Sequence, residues 1–114
     1  MFQGQYHGRT VHSPDLRAVL QRANKTGVSR IMATAGSLSE VGEATKLVSE
    51  LAAEFPGMLA TTIGVHPTRV SEFEQYEQGP DAYLQELRNL AIRHAELNIV
   101  AIGEMGLGMA SCCW

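Results

Sequence analysis

The chain has 114 residues, enough for a single hydrophobic core and at most one domain. Its 45% hydrophobic and 18% charged content exclude a wholly disordered chain, and a formal net charge of −3 excludes a global basic field that would draw in nucleic acid. No apolar run approaches the roughly 20 residues of a membrane span, and the polar residues 1–10 have no signal-peptide pattern, so the expectation is a soluble intracellular protein, cytoplasmic, nuclear or both.

Residues 1–12 mix glycines with His7 and His12, which read as histidines of a surface loop. Ser13, Pro14 and Asp15 then supply an N-cap, a proline at the first helical position and an early acid. Leu16, Val19, Leu20 and Ala23 follow at helical spacing, and Lys25 with Gly27 marks the stop. Residues 28–35 contain a short strand, Ile31-Met32-Ala33-Thr34-Ala35. Gly36 breaks it, and Ser37-Leu38-Ser39-Glu40 fits a capping box that opens a second helix. Leu38, Val41, Ala44, Val48, Leu51 and Phe55 give that helix one apolar face. The junction ahead of it could hold an anion on free backbone N–H groups.

Pro56-Gly57 ends the helix, and residues 58–65 form a second strand that delivers His66-Pro67 at its end. Residues 68–80, with Glu72, Glu74 and Glu77, read as a solvated loop or short helix. Asp81 starts a third helix carrying Leu84, Leu87, Leu90, Ala91 and Leu97, with His94 flanking the stripe as a structural residue. Ile99-Val100-Ala101-Ile102 is an apolar run without polar alternation, the pattern of a strand buried on both faces. Gly103 breaks it and Glu104 follows at once. A carboxylate just beyond a buried parallel strand, between glycines, suits a binding site at the strand's C-terminal end. The alternative is a residue that caps the next helix or faces water. If the last two strands are parallel neighbours, His66 and Glu104 share one rim with backbones about 5 Å apart.

Helices alternating with strands imply a parallel sheet with right-handed crossovers, and periodicity fits either a small doubly wound sheet or a piece of a (β/α)8 barrel. Gly64-Val65-His66-Pro67, followed by Val100-Ala101-Ile102-Gly103-Glu104-Met105-Gly106-Leu107, resembles the Gly-x-His-Pro and Gly-Glu-x-Gly-Leu-Asp blocks of the TatD family of metal-dependent deoxyribonucleases. The opening residues 1–8 and 12–16 resemble its eukaryotic branch.

The resemblance covers residues 1–107 and implies an α/β fold: an incomplete (β/α)8, TIM-like barrel of about three βα units with parallel strands. Residues 108–114 form a divergent tail. The resemblance further implies hydrolysis of DNA phosphodiester bonds with divalent cations, two Mg²⁺-type ions in the complete site. Glu104 matches the family glutamate that binds both metals and acts in catalysis. His66 matches a histidine beside the substrate phosphate.

A complete barrel needs about 250 residues. The family's N-terminal metal-binding segment, two later histidines and an aspartate have no counterpart here. Gly108 stands where the family has aspartate after Gly-Leu. The expectation is therefore a truncated form that does not retain the metals by itself, or, as the alternative, a catalytically inactive fragment or interaction-only product. Its expected partners are DNA in the complete family protein, no membrane, and other copies of itself through exposed sheet edges. Cys112 and Cys113 are adjacent and form neither a zinc spacing nor a disulfide framework.

Overall fold

The computed structural model describes residues 5, 6, 9, 10 and 15–107. The sequence expectations for His7, His12, Ser13, Pro14 and the tail 108–114 lie outside these residues. The elements are β1 (Gln5–Tyr6), β2 (Arg9–Thr10), α1 (Leu16–Lys25), β3 (Ile31–Ala33), α2 (Leu38–Leu51) and β4 (Leu59–Val65). A single 3-10 turn, Pro67–Arg69, follows, then α3 (Glu72–Gln75), α4 (Pro80–Ile92), α5 (His94–Leu97) and β5 (Ile99–Met105). β1 and β2 form an antiparallel pair that the apolar pattern did not signal. β3, β4 and β5 form a three-stranded parallel sheet in sequential order, the parallel sense being the one that helices alternating with strands imply.

Local chemistry sets most of the boundaries. α1 starts at Leu16 with Asp15 as N-cap, so the acid expected inside the first turn stands before it, without a side-chain capping bond. The helix ends as expected. Gly27 takes φ 101°, which only glycine adopts cheaply, and Val28 N–H and Gly27 N–H donate back to Ala23 O (3.0 Å) and Asn24 O (3.1 Å). α2 is capped by Ser37, whose Oγ accepts from Glu40 N–H at 3.2 Å. Its buried face is Val41, Thr45, Val48 and Leu51, so Thr45 joins the inner stripe. A threonine fits there because its hydroxyl donates to Gly42 O within the helix, at 3.0 Å.

The core lies between the sheet and the helices. Ala35, Val41, Ile63, Val65, Tyr83, Leu87 and Ile99 form one cluster; Leu20, Leu51, Phe55 and Met58 form another. Each fully buried large apolar side chain contributes on the order of 1.5–3 kcal/mol. α4 differs from its expected face: Leu84 is 48% exposed, whereas Tyr83 is 2% exposed. The cause is the stretch 68–80, expected as a solvated loop or short helix, which contains the short helix α3. It places Phe73 and Tyr76 against Tyr83, with ring centroids 4.5 and 5.2 Å away, and the aromatic cluster claims the inward position.

The Tyr83 hydroxyl accepts from Leu38 N–H at 3.0 Å and so closes the first turn of α2. Tyr83→Phe leaves that N–H without a partner and should cost about 1–3 kcal/mol in chemical denaturation. Burial, the larger cause, raises the Tyr83 pKa, and the Leu38 contact opposes it. A group with a raised folded pKa contributes stability that is present below its unfolded pKa, about 10 for tyrosine. Stability should therefore fall as pH rises beyond about 10, with a shallower fall in Tyr83→Phe. Identical slopes in the two proteins would refute the assignment.

β5 departs from its expectation in two ways. It continues through Gly103 and Glu104 to Met105, so Glu104 belongs to the strand's last residues rather than to the turn beyond it. It is also not buried on both faces. Ile99 is buried, but Val100, Ile102 and Met105 are 62%, 74% and 65% exposed, because β5 is the edge of the sheet. No described helix is long and apolar enough to cross a membrane.

Candidate active site

His66 and Glu104 meet at the C-terminal ends of adjacent parallel strands. β4 ends at Val65, which pairs with Met105 of β5, so His66 follows and Glu104 precedes that pair on neighbouring strands. His66 Nε2 lies 3.1 Å from Glu104 Oε1. Backbone hydrogen bonding fixes the imidazole. His66 is the N-cap of the 3-10 turn, and its Nδ1 accepts from Thr68 N–H at 3.1 Å, with Thr68 Oγ1 also 2.7 Å away. An Nδ1 that accepts from an amide carries no proton, so the neutral ring holds its proton on Nε2 and donates it to Glu104.

Two glycines let the rim close. A Cβ on Gly64 would run into the carbonyl oxygen of Glu104 and the backbone of Gly103, and one on Gly106 would stand 2.5 Å from Pro67 Cγ. The β4–β5 register shifts between Ile63 and Val65, around Gly64.

The pair lines a cleft of about 330 Å³ with Thr34, Gly36, Glu40, Thr68 and Arg69. Arg69 Nε donates to Glu72 Oε2 at 2.5 Å and Nη1 donates to Glu40 Oε1 at 3.2 Å. The Glu72 contact is the main cause that raises the Arg69 pKa. Both ion pairs are part-exposed and add little stability, about 0–1 kcal/mol each. Glu40, Glu72 and Glu104 against Arg69 leave the cleft and its border net negative with His66 neutral. A phosphodiester therefore approaches favourably only if a cation offsets this charge.

Among the described residues no three His, Cys, Asp or Glu side chains converge as a metal site. Glu104 and His66 offer two donor groups, and the His66 nitrogen facing Glu104 carries a proton. A magnesium ion takes six oxygen ligands in near-octahedral geometry. The described residues alone therefore do not fit a divalent ion; Glu104 could serve as one ligand among others.

The sequence singled out His66 and Glu104, and the structure brings them together. It did not single out Arg69 or Thr68, although both stand within three residues of His66 in His66-Pro67-Thr68-Arg69. In the sequence Glu40 stands only as part of a capping box. The strand–Gly–Ser–helix junction is no open anion cradle. Gly36 N–H goes to Glu40 Oε2 (2.7 Å), Leu38 N–H to Tyr83 and Glu40 N–H to Ser37. His94 is exposed at the start of α5 and is not among the residues lining the cleft.

Comparison with known proteins sets this geometry in a family. Residues 6–112 match the family described as TatD related DNase. The chain is 32% identical over 108 residues to the deoxyribonuclease Tat-D of Schizosaccharomyces pombe, covering 94% of this chain and 33% of that protein. It is 37% identical over 93 residues to the 3'-5' ssDNA/RNA exonuclease TatD of Yersinia pseudotuberculosis, covering 82% of this chain and 31% of that protein. A crystal structure of a TatD family hydrolase from Entamoeba histolytica superposes with a TM-score of 0.76 at 40% identity, over 93% of this chain and 33% of the other. The chain thus spans about a third of the length of these relatives.

Proposed function

The chain belongs to the TatD related DNase family, and on that premise we propose that its Glu104–His66 rim is one part of a metal-dependent site that hydrolyses DNA phosphodiester bonds. The observation that supports this reading is the 3.1 Å contact of His66 Nε2 with Glu104 Oε1, at the C-terminal ends of neighbouring parallel strands. Barrel enzymes of this class build their sites on that rim.

Each residue has a defined part. Glu104 would supply a carboxylate to Mg²⁺-type cations if other ligands converged on them. His66 stands beside the substrate phosphate and holds Glu104 through its Nε2 proton. Thr68 keeps that proton on Nε2 through its backbone N–H. Arg69 is held between two carboxylates and borders the cleft. We propose that the described residues place no metal without further ligands, and that the 114-residue chain does not turn over DNA alone.

Titration calorimetry tests the ligand count. Mg²⁺ or Mn²⁺ should bind the 114-residue chain no better than a single surface carboxylate does, because magnesium keeps most of its waters unless several oxygens replace them. A micromolar site that vanishes in Glu104→Ala would mean that more ligands converge, with His7 and His12 the first to test.

A second reading, an interaction-only product, draws on the apolar edge of β5, where Ile102 and Met105 stand exposed. An unpaired strand edge is a template for another chain. We propose that copies associate through it, giving concentration-dependent elution in gel filtration. A sharp monomer at every concentration, with a cooperative melt at high temperature, would exclude association.

A further inference from the structure

We propose that Glu40 is a positioning residue for the His66–Glu104 pair, clasping the two loops that hold the His66 backbone. The inference rests on the hydrolytic reading of that pair, and it comes from a closed set of hydrogen bonds. Glu40 Oε2 accepts from Gly36 N–H at 2.7 Å, and Oε1 accepts from Arg69 Nη1 at 3.2 Å. The same two residues bind both peptide groups of His66. Its N–H donates to Gly36 O at 2.9 Å, and its carbonyl accepts from Arg69 N–H at 2.8 Å. One carboxylate on α2 thus grips the residue on either side of the histidine's main chain.

Helix capping alone does not account for this. In a capping box the acid at the third helical position returns to the N–H of the N-cap residue. Here the N-cap is Ser37, but Glu40 reaches past it to Gly36, in the loop after β3. The fit is close: a Cβ on Gly36 would stand 3.1 Å from Glu40 Oε2 and 3.2 Å from His66 Cβ. Arg69 completes the clasp because its fork also engages Glu72 of α3. A shift of either loop moves His66 along the rim and changes its reach to Glu104, and displacements near 1 Å in such sites cost on the order of 100-fold in rate.

Glu40→Gln is the diagnostic change. Gly36 and Arg69 both donate, so a carboxylate satisfies both, whereas an amide of the same shape turns one contact into donor against donor. Nitrogen-15 spectra of the imidazole in the 114-residue chain, at a pH where free imidazole is neutral, read the outcome, with His66→Gln identifying the signal. The wild type should show one tautomer, with its proton on Nε2. Glu40→Gln should lose that single-tautomer signature while retaining wild-type helix content, and Glu43→Gln, exposed on the same helix, should keep it.

If Glu40→Gln loses helix content, Arg69→Lys decides, since an ammonium cannot hold Glu40 and Glu72 in the fork geometry and costs little stability at this part-exposed site. A wild-type His66 signature in whichever of the two variants stays folded would overturn the proposal. A failure of the hydrolytic reading would appear only in turnover assays and would leave these spectra unchanged.

Discussion

Glu104→Gln, made in a chain that carries the complete family barrel, is expected to reduce Mg²⁺-dependent DNA hydrolysis by more than about 100-fold, since even outer-shell partners of a metal ligand are worth about 10–100-fold. The amide keeps the shape of the side chain but loses the negative charge that would hold cations together. It also loses one of two acceptors, and His66 Nε2–H already engages one carboxylate oxygen. Chelator should abolish the wild-type activity.

His66→Ala should do less damage, raising KM more than it lowers kcat, if the imidazole meets substrate phosphate. The 114-residue chain should show no turnover above a blank on single- or double-stranded DNA. Metal-dependent nucleotide release by the purified chain, lost in Glu104→Ala, would defeat this expectation. It would mean that ligands assemble from elsewhere, for instance from a second copy.

The second large effect is expected at Gly64. An added Cβ meets the carbonyl oxygen of Glu104 and the carbonyl carbon of Gly103, which are backbone atoms and cannot turn aside as a side-chain tip can. Overpacking typically costs about 1–3 kcal/mol and occasionally more. Gly64→Ala should reach the top of that range because the strand itself must move. Against whole-domain stabilities of about 5–15 kcal/mol this is a large fraction.

β5 should separate from β4 at this end and carry Glu104 away from His66, so the 3.1 Å His66–Glu104 contact should be lost along with the stability. Gly42→Ala is the matched contrast. Gly42 lies inside α2 with nothing within 4 Å of an added Cβ, and the change should stabilise by about 0.5–1 kcal/mol. A denaturation midpoint for Gly64→Ala equal to the wild type would show that the strands do not approach as closely as the structure has them.

Much of this site was legible because it is encoded locally. His66-Pro67 marked the end of β4, and parallel order followed from the helices between the strands. Once β4 and β5 are neighbours, His66 and Glu104 must share a rim. The stop of α1 at Gly27 and the Ser37 cap of α2 were legible for the same reason, since each depends on one residue and its next few neighbours.

What the sequence by itself determined is this set of short-range features: the alternation of elements, the caps, the family blocks and the two residues at the strand ends. Tertiary structure alone decided which side chain of α4 turns inward. Leu84 and Tyr83 fit helical spacing about equally, and the choice fell to Tyr83 only when Phe73 and Tyr76 packed on it and its hydroxyl met Leu38 N–H. Tertiary structure alone also decided which side chains of β5 face solvent, because an apolar run records a strand's preference for burial but not which of its residues a neighbour covers. The clasp of Glu40 on Gly36 and Arg69 is of the same kind. Glu40 and Arg69 stand 29 positions apart in the chain, and only the folded backbone brings their charges to 3.2 Å.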